Sequence, residues 1–424
     1  MTGTGTLPQR PTAARRGGLF WHRDFRLLWT AEASSKLGSS VTSVAMPLVA
    51  VATLDATAFE AATLYAASWL PWLIIGLPAG AWVDRLPRRP VLVACDIASM
   101  LLFLSVPVAA WLDVLTIGHL LAVALGAGTA TVFFQTAYQA YLPSLLDPHE
   151  LAEGNAKLQG TESAMQVAGP GVAGLLAQLA GAVAAVLLDA LSFAASALCL
   201  WAIRFREPRA PRPAAASLSR QIAEGIRYVA RDPYLRVLTV FGAASNIGLI
   251  GYQSLLVVFL VRDVGVGAGA VGGLLAAISC GGVLGAAVAT PISRRFGTAR
   301  AVVFSNVGAL PFGLLIPLTG PGWRLALLVT GGLVIGVGVV AGNVIKGVFR
   351  QRYTPAHLLG RVVVSMQFLN YGAIPVGGLI AGTLGATLGT RPAMWIMTGT
   401  LALTGLILLV GPIGRRRDLP ERPE

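Results

Sequence analysis

The sequence contains few of the side chains on which metal and covalent chemistry depend. Among its 424 residues there are three cysteines and four histidines. Cys95, Cys199 and Cys280 all lie inside apolar runs, at spacings that fit neither a disulfide framework nor a metal site. No segment has the pattern of a phosphate-binding loop, a nucleophile elbow or a zinc-binding helix. These absences argue against an enzyme, and they predict neither a metal nor a cofactor.

Charged residues are also scarce, and this scarcity argues against a soluble domain. They make up 12% of the chain, against about 25% in a typical soluble protein. Hydrophobic residues make up 55%, and the mean hydropathy is +0.71. Most apolar runs are about 20 residues long, which is the length that a helix needs to cross a bilayer and is too long for a barrel strand. The sequence therefore predicts an all-α polytopic membrane protein.

The apolar runs predict twelve transmembrane helices. They lie at residues 26–53, 61–83, 90–111, 116–141, 160–181, 183–203, 236–261, 268–292, 299–318, 323–349, 361–384 and 391–412. Basic residues are concentrated on the side of the bundle that holds both termini, and only Arg262, Arg324 and Arg391 fall on the other side. The positive-inside rule therefore predicts cytoplasmic termini. The net charge of +13 then reflects topology and contacts with anionic lipids rather than nucleic-acid binding.

Short motifs recur in the two halves of the chain in the same order. "RDFRLLW" at Arg23 is echoed by "RDPYLRVL" at Arg231, and "DRLPRRPVLV" at Asp84 by "RRFGTARAVV" at Arg294. Such duplication is typical of secondary transporters and predicts two six-helix bundles. The predicted division is a disordered cytoplasmic tail at 1–22, an N-terminal bundle at 23–203, a central cytoplasmic loop at 204–235, a C-terminal bundle at 236–412 and a cytoplasmic tail at 413–424. The central loop contains an amphipathic helix, which either lies on the membrane surface or is a solvated linker.

A charged turn, "GAWVDRLPRR" from Gly80 to Arg89, carries a specific resemblance. It resembles the signature between helices 2 and 3 of the major facilitator superfamily, although Pro87 stands where that family usually has Gly. The matching residues are Gly80, Asp84, Arg85, Arg88 and Arg89. "AYQAYLPSLL" and "LLDALSF" further resemble the bacterial exporter branch that includes the enterobactin exporter and macrolide-efflux-like proteins. The resemblance implies the major facilitator fold, alternating access and a place in the bacterial inner (cytoplasmic) membrane.

The same resemblance implies that the charged turn is a conformational latch. Asp84 would bridge to Arg361 at the start of helix 11, and the arginines of the turn would pair with Asp96 or with lipid phosphates. Arg294 occupies the position of the acid in the second copy, so the latch is expected in the first half alone. The alternative is that these arginines serve only as a positive-inside anchor.

Helix 5 contains "GPGVAG", which resembles the antiporter signature of the superfamily at Gly169, Pro170 and Gly174. The resemblance implies export by antiport. The alternative is a packing kink, since proline removes a backbone donor and bends a helix.

Polar side chains within the spans are candidates for proton coupling and substrate binding, because ionisable groups are costly in a membrane. Glu32 and Asp189 are the proton-coupling candidates. Glu32 could instead pair with Lys36, and Asp189 could serve only in hydrogen bonding. The substrate-cavity candidates are polar residues that lie close together or share a face on helices 1, 4, 7, 10 and 11: Ser35, Lys36, Ser39, Thr42, Gln135, Tyr138, Gln139, Asn246, Gln253, Asn343, Lys346, Gln367, Asn370 and Tyr371.

These features favour a secondary active transporter that exports a small amphipathic molecule, such as a drug, siderophore or secreted metabolite, in exchange for protons. An uptake permease or uniporter is the alternative, and a receptor or scaffold that moves no solute is a third hypothesis. The expected partners are the substrate, protons and membrane lipids, without nucleic acid, and a monomer would suffice.

Overall fold

The computed structural model describes residues 19–83, 85–147, 150–205 and 218–420. Within these ranges the chain forms helices and connecting turns, with no β-strand. The α-helices are α1 (Arg23–Leu48), α2 (Ala58–Val83), α3 (Arg88–Trp111), α4 (Ile117–Leu145), α5 (Leu151–Ala180), α6 (Ala182–Ala202), α7 (Leu218–Arg231), α8 (Pro233–Val258), α9 (Ala268–Phe296), α10 (Thr298–Val307), α11 (Leu325–Tyr353), α12 (Ala356–Leu388) and α13 (Thr390–Val410). The prediction of an all-α membrane protein is confirmed.

Three of these helices continue in other helical forms. α1 and α8 each end in a π-helical turn, at Val49–Thr53 and Phe259–Asp263, while α10 passes into the 3₁₀ helix Leu310–Leu318. Matching π turns at the ends of α1 and α8 agree with the repeat seen in the sequence motifs.

Eleven helices in the described part of the chain are long and apolar enough to cross a membrane. α5 is not among them, although it has 30 residues, because Glu153, Lys157 and Glu162 make its first half polar. The sequence places the start of this span at residue 160, whereas the helix begins at Leu151.

Most helix contacts form within two groups, α1–α6 and α8–α13. Within the second group, glycine lets backbones touch: a Cβ atom on Gly248 of α8 would lie 2.7 Å from the backbone nitrogen of Leu401 on α13. Such close packing is the usual basis of helix association in membranes, because lipid is itself apolar and the burial of apolar surface provides no driving force there.

Two helix pairs, α2–α12 and α5–α9, form most of the contacts between the groups. Both pairs touch toward the end of the bundle that is opposite the chain termini, which we call the opposite end. A Cβ atom on Gly174 of α5 would lie 2.6 Å from Cα of Gly272 on α9. At the same end, Arg262 pairs with Asp55 at 2.6 Å and links the turns after α8 and α1. The two groups are thus in contact at the opposite end.

The end of the bundle where α1 begins and α13 ends, which we call the terminal end, is open. Three glycines here face open space: Gly80 near the end of α2, Gly160 in the first half of α5 and Gly360 near the start of α12. A Cβ atom on any of them would meet no neighbouring atom of the described residues within 4 Å. The contacts between the groups that are described above lie toward the opposite end, and polar pockets lie on their terminal side, in a space that we call the cavity.

One face of α7 packs against the helical bundle, and another face points outward. A Cβ atom on Gly225 would lie 2.6 Å from the carbonyl oxygen of Arg361 on α12, and Val229 is buried. Glu224 pairs with Arg361 at 2.6 Å. Part of the amphipathic face therefore contacts α12 rather than lipid or solvent.

Segments next to both termini are also packed. The Leu19 N–H donates to Glu153 Oε1 at 3.2 Å, and Leu19 is buried, although the sequence predicts a disordered tail through residue 22. Asp418 accepts a hydrogen bond from the Thr298 N–H at 2.8 Å, which caps α10, and Leu419 is buried beside it. Residues 1–18, 206–217 and 421–424 lie outside the described residues.

Candidate functional site

Aromatic side chains close the cavity near the middle of the bundle. Trp69 and Trp72 of α2 contact Tyr371 of α12, with ring centroids 5.7 Å and 5.4 Å apart. One residue further along α12, a Cβ atom on Gly372 would lie 3.0 Å from Leu73. The α2–α12 contact thus extends from these rings to the opposite end, and the polar walls of the cavity lie on the terminal side of it.

The first group contributes a polar pocket of about 100 Å³, which we call the N-half pocket. Its lining comes from α1, α4 and α5, and consists of Glu32, Lys36, Gln135, Tyr138, Asn155, Leu158, Gln159, Thr161 and Glu162. Two carboxyl groups, one ammonium group and several amides therefore surround a small space that faces the terminal end.

Lys36 forms its ion pair across helices rather than along its own. Its Nζ lies 3.2 Å from Glu162 Oε1 on α5, so the expected Glu32–Lys36 pair is not the bond that forms. Glu32 is 6% exposed, and its Oε1 accepts no hydrogen bond from a described residue. The N-half pocket therefore holds one paired and one unpaired carboxyl group.

Asp189 of α6 lies outside this pocket and is fully buried. Ser192 Oγ, one turn along the same helix, donates to its Oδ1 at 3.2 Å. Gly38 of α1 makes room for the pair, because a Cβ atom there would collide with both side chains. This carboxyl group lies at a tight α1–α6 contact, away from the cavity wall.

The second group contributes a larger pocket of about 270 Å³, which we call the C-half pocket. Predicted cavity residues that line it are Asn246, Asn343, Lys346, Gln367, Asn370 and Tyr371. Asn246 Nδ2 donates to the carbonyl oxygen of Asn370 at 3.0 Å, which ties α8 to α12. The structure thus brings three predicted helix faces together around one space.

Other predicted cavity residues do not line either pocket. Ser35 is half-buried, and Ser39 and Gln139 are exposed. Thr42 is buried beside α6. Gln253 of α8 is half-buried and lies near the opposite end of the bundle. Of the predicted polar face of α1, Glu32 and Lys36 line the N-half pocket, and the contribution of the others to substrate binding stays a prediction.

The arginines after α2 bond to backbone carbonyls within their own group. Arg88 Nη1 donates to Ala140 O at 3.1 Å, and Arg89 Nε donates to Leu200 O at 2.9 Å. Arg85 is exposed. These bonds satisfy carbonyl groups at the ends of α4 and α6, where cations are also favoured by the helix dipole.

Two of the expected latch residues, Asp96 and Arg361, have other surroundings in this conformation. Asp96 is buried in α3 and accepts no hydrogen bond from a described residue, so it does not pair with the arginines as predicted. Arg361 pairs with Glu224 of α7. Asp84 lies outside the described residues, and its bridge to Arg361 stays a prediction.

The "GPGVAG" residues of α5 lie at two helix contacts. Gly169 faces Ser40 of α1, with a Cβ position 3.1 Å from the Ser40 carbonyl carbon, while Gly174 faces Gly272 of α9. Pro170 presents its carbonyl oxygen to the same Gly272. The motif therefore forms part of the contact that closes the opposite end.

Sequence reasoning misses several lining residues. It does not single out Glu162 or Arg350 as site residues, yet each lines a pocket. It does not single out Asn306, although this residue also lines the C-half pocket. Spacing offers a signal for Arg350, which lies one turn after Lys346 on α11.

Comparisons with known proteins agree with this architecture. The multidrug efflux pump Tap of Mycolicibacterium fortuitum is 28% identical over 421 residues, which cover 97% of this chain and 100% of that protein. The nucleoside transporter NupG superposes with a TM-score of 0.74 at 13% identity, covering 93% of this chain and 100% of that one. A bacterial homologue of the iron transporter ferroportin, in its inward-facing state, superposes with a TM-score of 0.75 at 16% identity, covering 93% of this chain and 99% of that one.

The outward-facing state of the same ferroportin homologue gives a lower TM-score of 0.60 at 17% identity, covering 93% of this chain and 100% of that one. A helical bundle of two joined groups around a polar cavity, with these similarities, defines a transporter of the major facilitator superfamily, in its bacterial exporter branch. Within it, the chain belongs to the transmembrane secretion effector family, whose model matches residues 19–420.

Proposed function

We propose that this transporter exports a small amphipathic molecule from the bacterial cytoplasm in exchange for protons. The similarity to a multidrug efflux pump along nearly the whole chain supports export. Proton exchange is supported by the unpaired, buried carboxyl group of Glu32 in the N-half pocket. Ionisable groups within membrane helices are costly and are usually retained for transport.

Glu32 suits proton exchange better than Asp189 does. Glu32 lines a pocket that opens toward the terminal end, beside the Lys36–Glu162 pair. Asp189 is enclosed between α1 and α6 and is held by Ser192. A group that must load and release protons on alternate sides needs contact with the cavity, and Glu32 has it.

The proposed cycle uses the two ends of the bundle in turn. The positive-inside rule predicts that the terminal end faces the cytoplasm. With that end open, Glu32 releases its proton and the substrate enters. The α5–α9 and α2–α12 contacts then part at the opposite end, the terminal end closes, and the substrate leaves while Glu32 takes up a proton. A ligand drives such a change only through its different affinities for the two states.

The direct test is dye movement in proteoliposomes with an acidic lumen. Ethidium and Nile red provide one cationic and one neutral amphipathic probe, and a luminal pH dye reports proton loss. Exchange predicts dye accumulation in the lumen together with luminal alkalinisation, and nigericin should abolish both. Dye movement that is indifferent to the pH gradient would instead support a uniporter.

The matched variants are Glu32→Gln and Glu153→Gln. Glu153 lies on the surface of α5 and pairs with Lys157 at 2.8 Å, so its loss removes a carboxylate without touching the pocket. We expect Glu32→Gln to lose pH-driven accumulation but to keep dye counterflow without a gradient. Full pH-driven accumulation by Glu32→Gln would show that another group carries the proton.

A further inference from the structure

Two cationic side chains in the C-half pocket have no anionic partner in the described part of the chain. Lys346 and Arg350 lie four residues apart on α11 and therefore share a face. Neither forms an ion pair or a side-chain hydrogen bond with a described residue, and Arg350 Nε is buried without an acceptor. Lys346 Nζ lies 4.8 Å from the ring centroid of Phe241, which compensates its charge only weakly.

The remaining polar groups around these cations are neutral. Asn343, Gln367, Asn370 and Tyr371 supply amides and a phenol, and none of the described residues that line the pocket is acidic. Asn370 Oδ1 is buried and accepts no hydrogen bond from a described residue. The carboxyl groups of the cavity belong to the N-half pocket on the other wall. Charge is thus divided between the walls, and the C-half wall is positive.

Part of the lining is apolar. Leu238, Leu249, Met366 and Leu401 contribute apolar surface to the pocket, next to the neutral polar side chains of Ser245, Asn246 and Asn306. Its volume of about 270 Å³ is at the lower limit of about 300 Å³ for pockets that enclose a whole drug-sized ligand. The C-half pocket therefore has room for one end of a bulky molecule, such as an apolar group with a small charged substituent.

We infer that the C-half pocket binds an anionic group of the transported molecule, a carboxylate, sulfonate or phosphate attached to an apolar body. This inference rests on the proposed function, because it treats the pocket as part of the transport path. An anion here would accept charge-assisted hydrogen bonds from Lys346 and Arg350, which are stronger than neutral ones. An organic cation lacks a partner on this wall. The same chemistry would also accept a phospholipid headgroup, so the test separates the two sources.

The test compares three bicyclic probes of similar shape and different charge: 2-naphthoate, its neutral amide and 2-naphthylmethylammonium. Binding is measured by equilibrium dialysis with delipidated protein in a neutral detergent. We expect 2-naphthoate to bind at least about tenfold more tightly than the amide, a difference of about 1.4 kcal/mol. Equal binding of the acid and the amide would overturn the inference.

Variants assign the preference to the two cations. Lys346→Gln and Arg350→Gln should each lose most of the preference for 2-naphthoate, and the double variant should lose all of it. Lys346→Arg, which keeps the charge, should retain it and so exclude a folding defect as the cause. The matched control is Arg352→Gln, an exposed cation on the same helix that lines a different groove, and it should leave the preference intact. A preference that survives in the double variant would overturn the assignment.

Lipid and function are tested separately. Phosphatidylglycerol is titrated against bound 2-naphthoate, and labelled 2-naphthoate is followed in the proteoliposomes. Movement of 2-naphthoate, lost in the double variant, supports substrate recognition. Competition by lipid without any movement of 2-naphthoate would show a headgroup site and overturn the inference. Because binding in detergent needs no proton gradient, failure of pH-driven exchange with 2-naphthoate as well as with both dyes refutes the proposed function and leaves the binding result readable.

Discussion

The contact between Gly174 and Gly272 offers the sharpest test of alternating access. In the present conformation, a Cβ atom at Gly174 would lie 2.6 Å from Cα of Gly272, whereas carbon atoms pack at about 3.5–4.0 Å. Gly174→Ala therefore forces α5 and α9 apart by about 1 Å at this point. Overpacking of this kind costs about 1–3 kcal/mol.

The overpacking caused by Gly174→Ala destabilises only the conformation in which α5 and α9 touch. It arises when α5 and α9 touch at the opposite end, and it disappears when that end opens. A differential free energy of about 1–3 kcal/mol shifts the equilibrium about 5–150-fold toward the state with an open opposite end. We expect Gly174→Ala to populate that state strongly and to slow export, because the return step becomes unfavourable.

Distances between spin labels at the opposite end measure the shift. Asp113→Cys in the α3–α4 turn and Trp323→Cys before α11 place exposed labels on the two groups. The background lacks Cys95, Cys199 and Cys280. Double electron–electron resonance should show a longer label-to-label distance gaining population in Gly174→Ala.

Gly160→Ala is the matched control on the same helix. A Cβ atom at Gly160 meets no atom within 4 Å, and both variants gain the same helix propensity of up to about 1 kcal/mol. The control should keep the distance distribution of the parent. An unchanged distribution in Gly174→Ala, or equal changes in both variants, would refute the assignment of this contact to closure.

Three further perturbations follow from particular contacts. Arg262→Ala removes the exposed ion pair with Asp55. We expect the populations of the same label distances to shift by the equivalent of at most about 1 kcal/mol, and the shift to be absent in high salt. A shift that does not depend on salt would contradict the role of this ion pair. Glu224→Gln removes the ion pair with Arg361. The rate of amide hydrogen exchange in α7 should then rise while that in α8 stays constant. An unchanged rate in α7 would show that apolar packing alone holds α7 against α12. Gly248→Ala overpacks a contact inside the second group; the melting temperature should fall while the label distances stay those of the parent, and a shifted distribution would contradict the view that this group moves as a unit.

The fold could be predicted from the sequence because its signals are local. Apolar length, the positions of basic loops and the charged turn at Gly80 predict helices close to those observed. The helix α5 begins at Leu151, before the span predicted from residue 160, because the prediction follows apolar length and the first turns of α5 carry the Glu153–Lys157 ion pair.

The sites were predicted less completely because pairing depends on how neighbouring helices are rotated. The sequence placed Asn246, Lys346 and Gln367 on polar faces of three helices, and the structure brings these three residues together around the C-half pocket. The partner of Lys36 could not be derived in this way. Glu32 lies one turn away on the same helix, yet the orientation of α1 against α5 places Lys36 in an ion pair with Glu162 instead.

The contacts at the opposite end explain how one chain can both hold and release a closed conformation. They rely on glycine and small side chains, such as Gly174 against Gly272 and Gly382 against Ala62, rather than on buried polar bonds. Each atom pair in such a contact contributes only about 0.1–0.2 kcal/mol, so the interface can separate without leaving unsatisfied donors in lipid. Buried ion pairs would resist separation, because breaking one costs about 3–5 kcal/mol. Charge is instead kept on the cavity walls, at Glu32 on one side and at Lys346 and Arg350 on the other, where protons and substrate can change the balance between the two conformations.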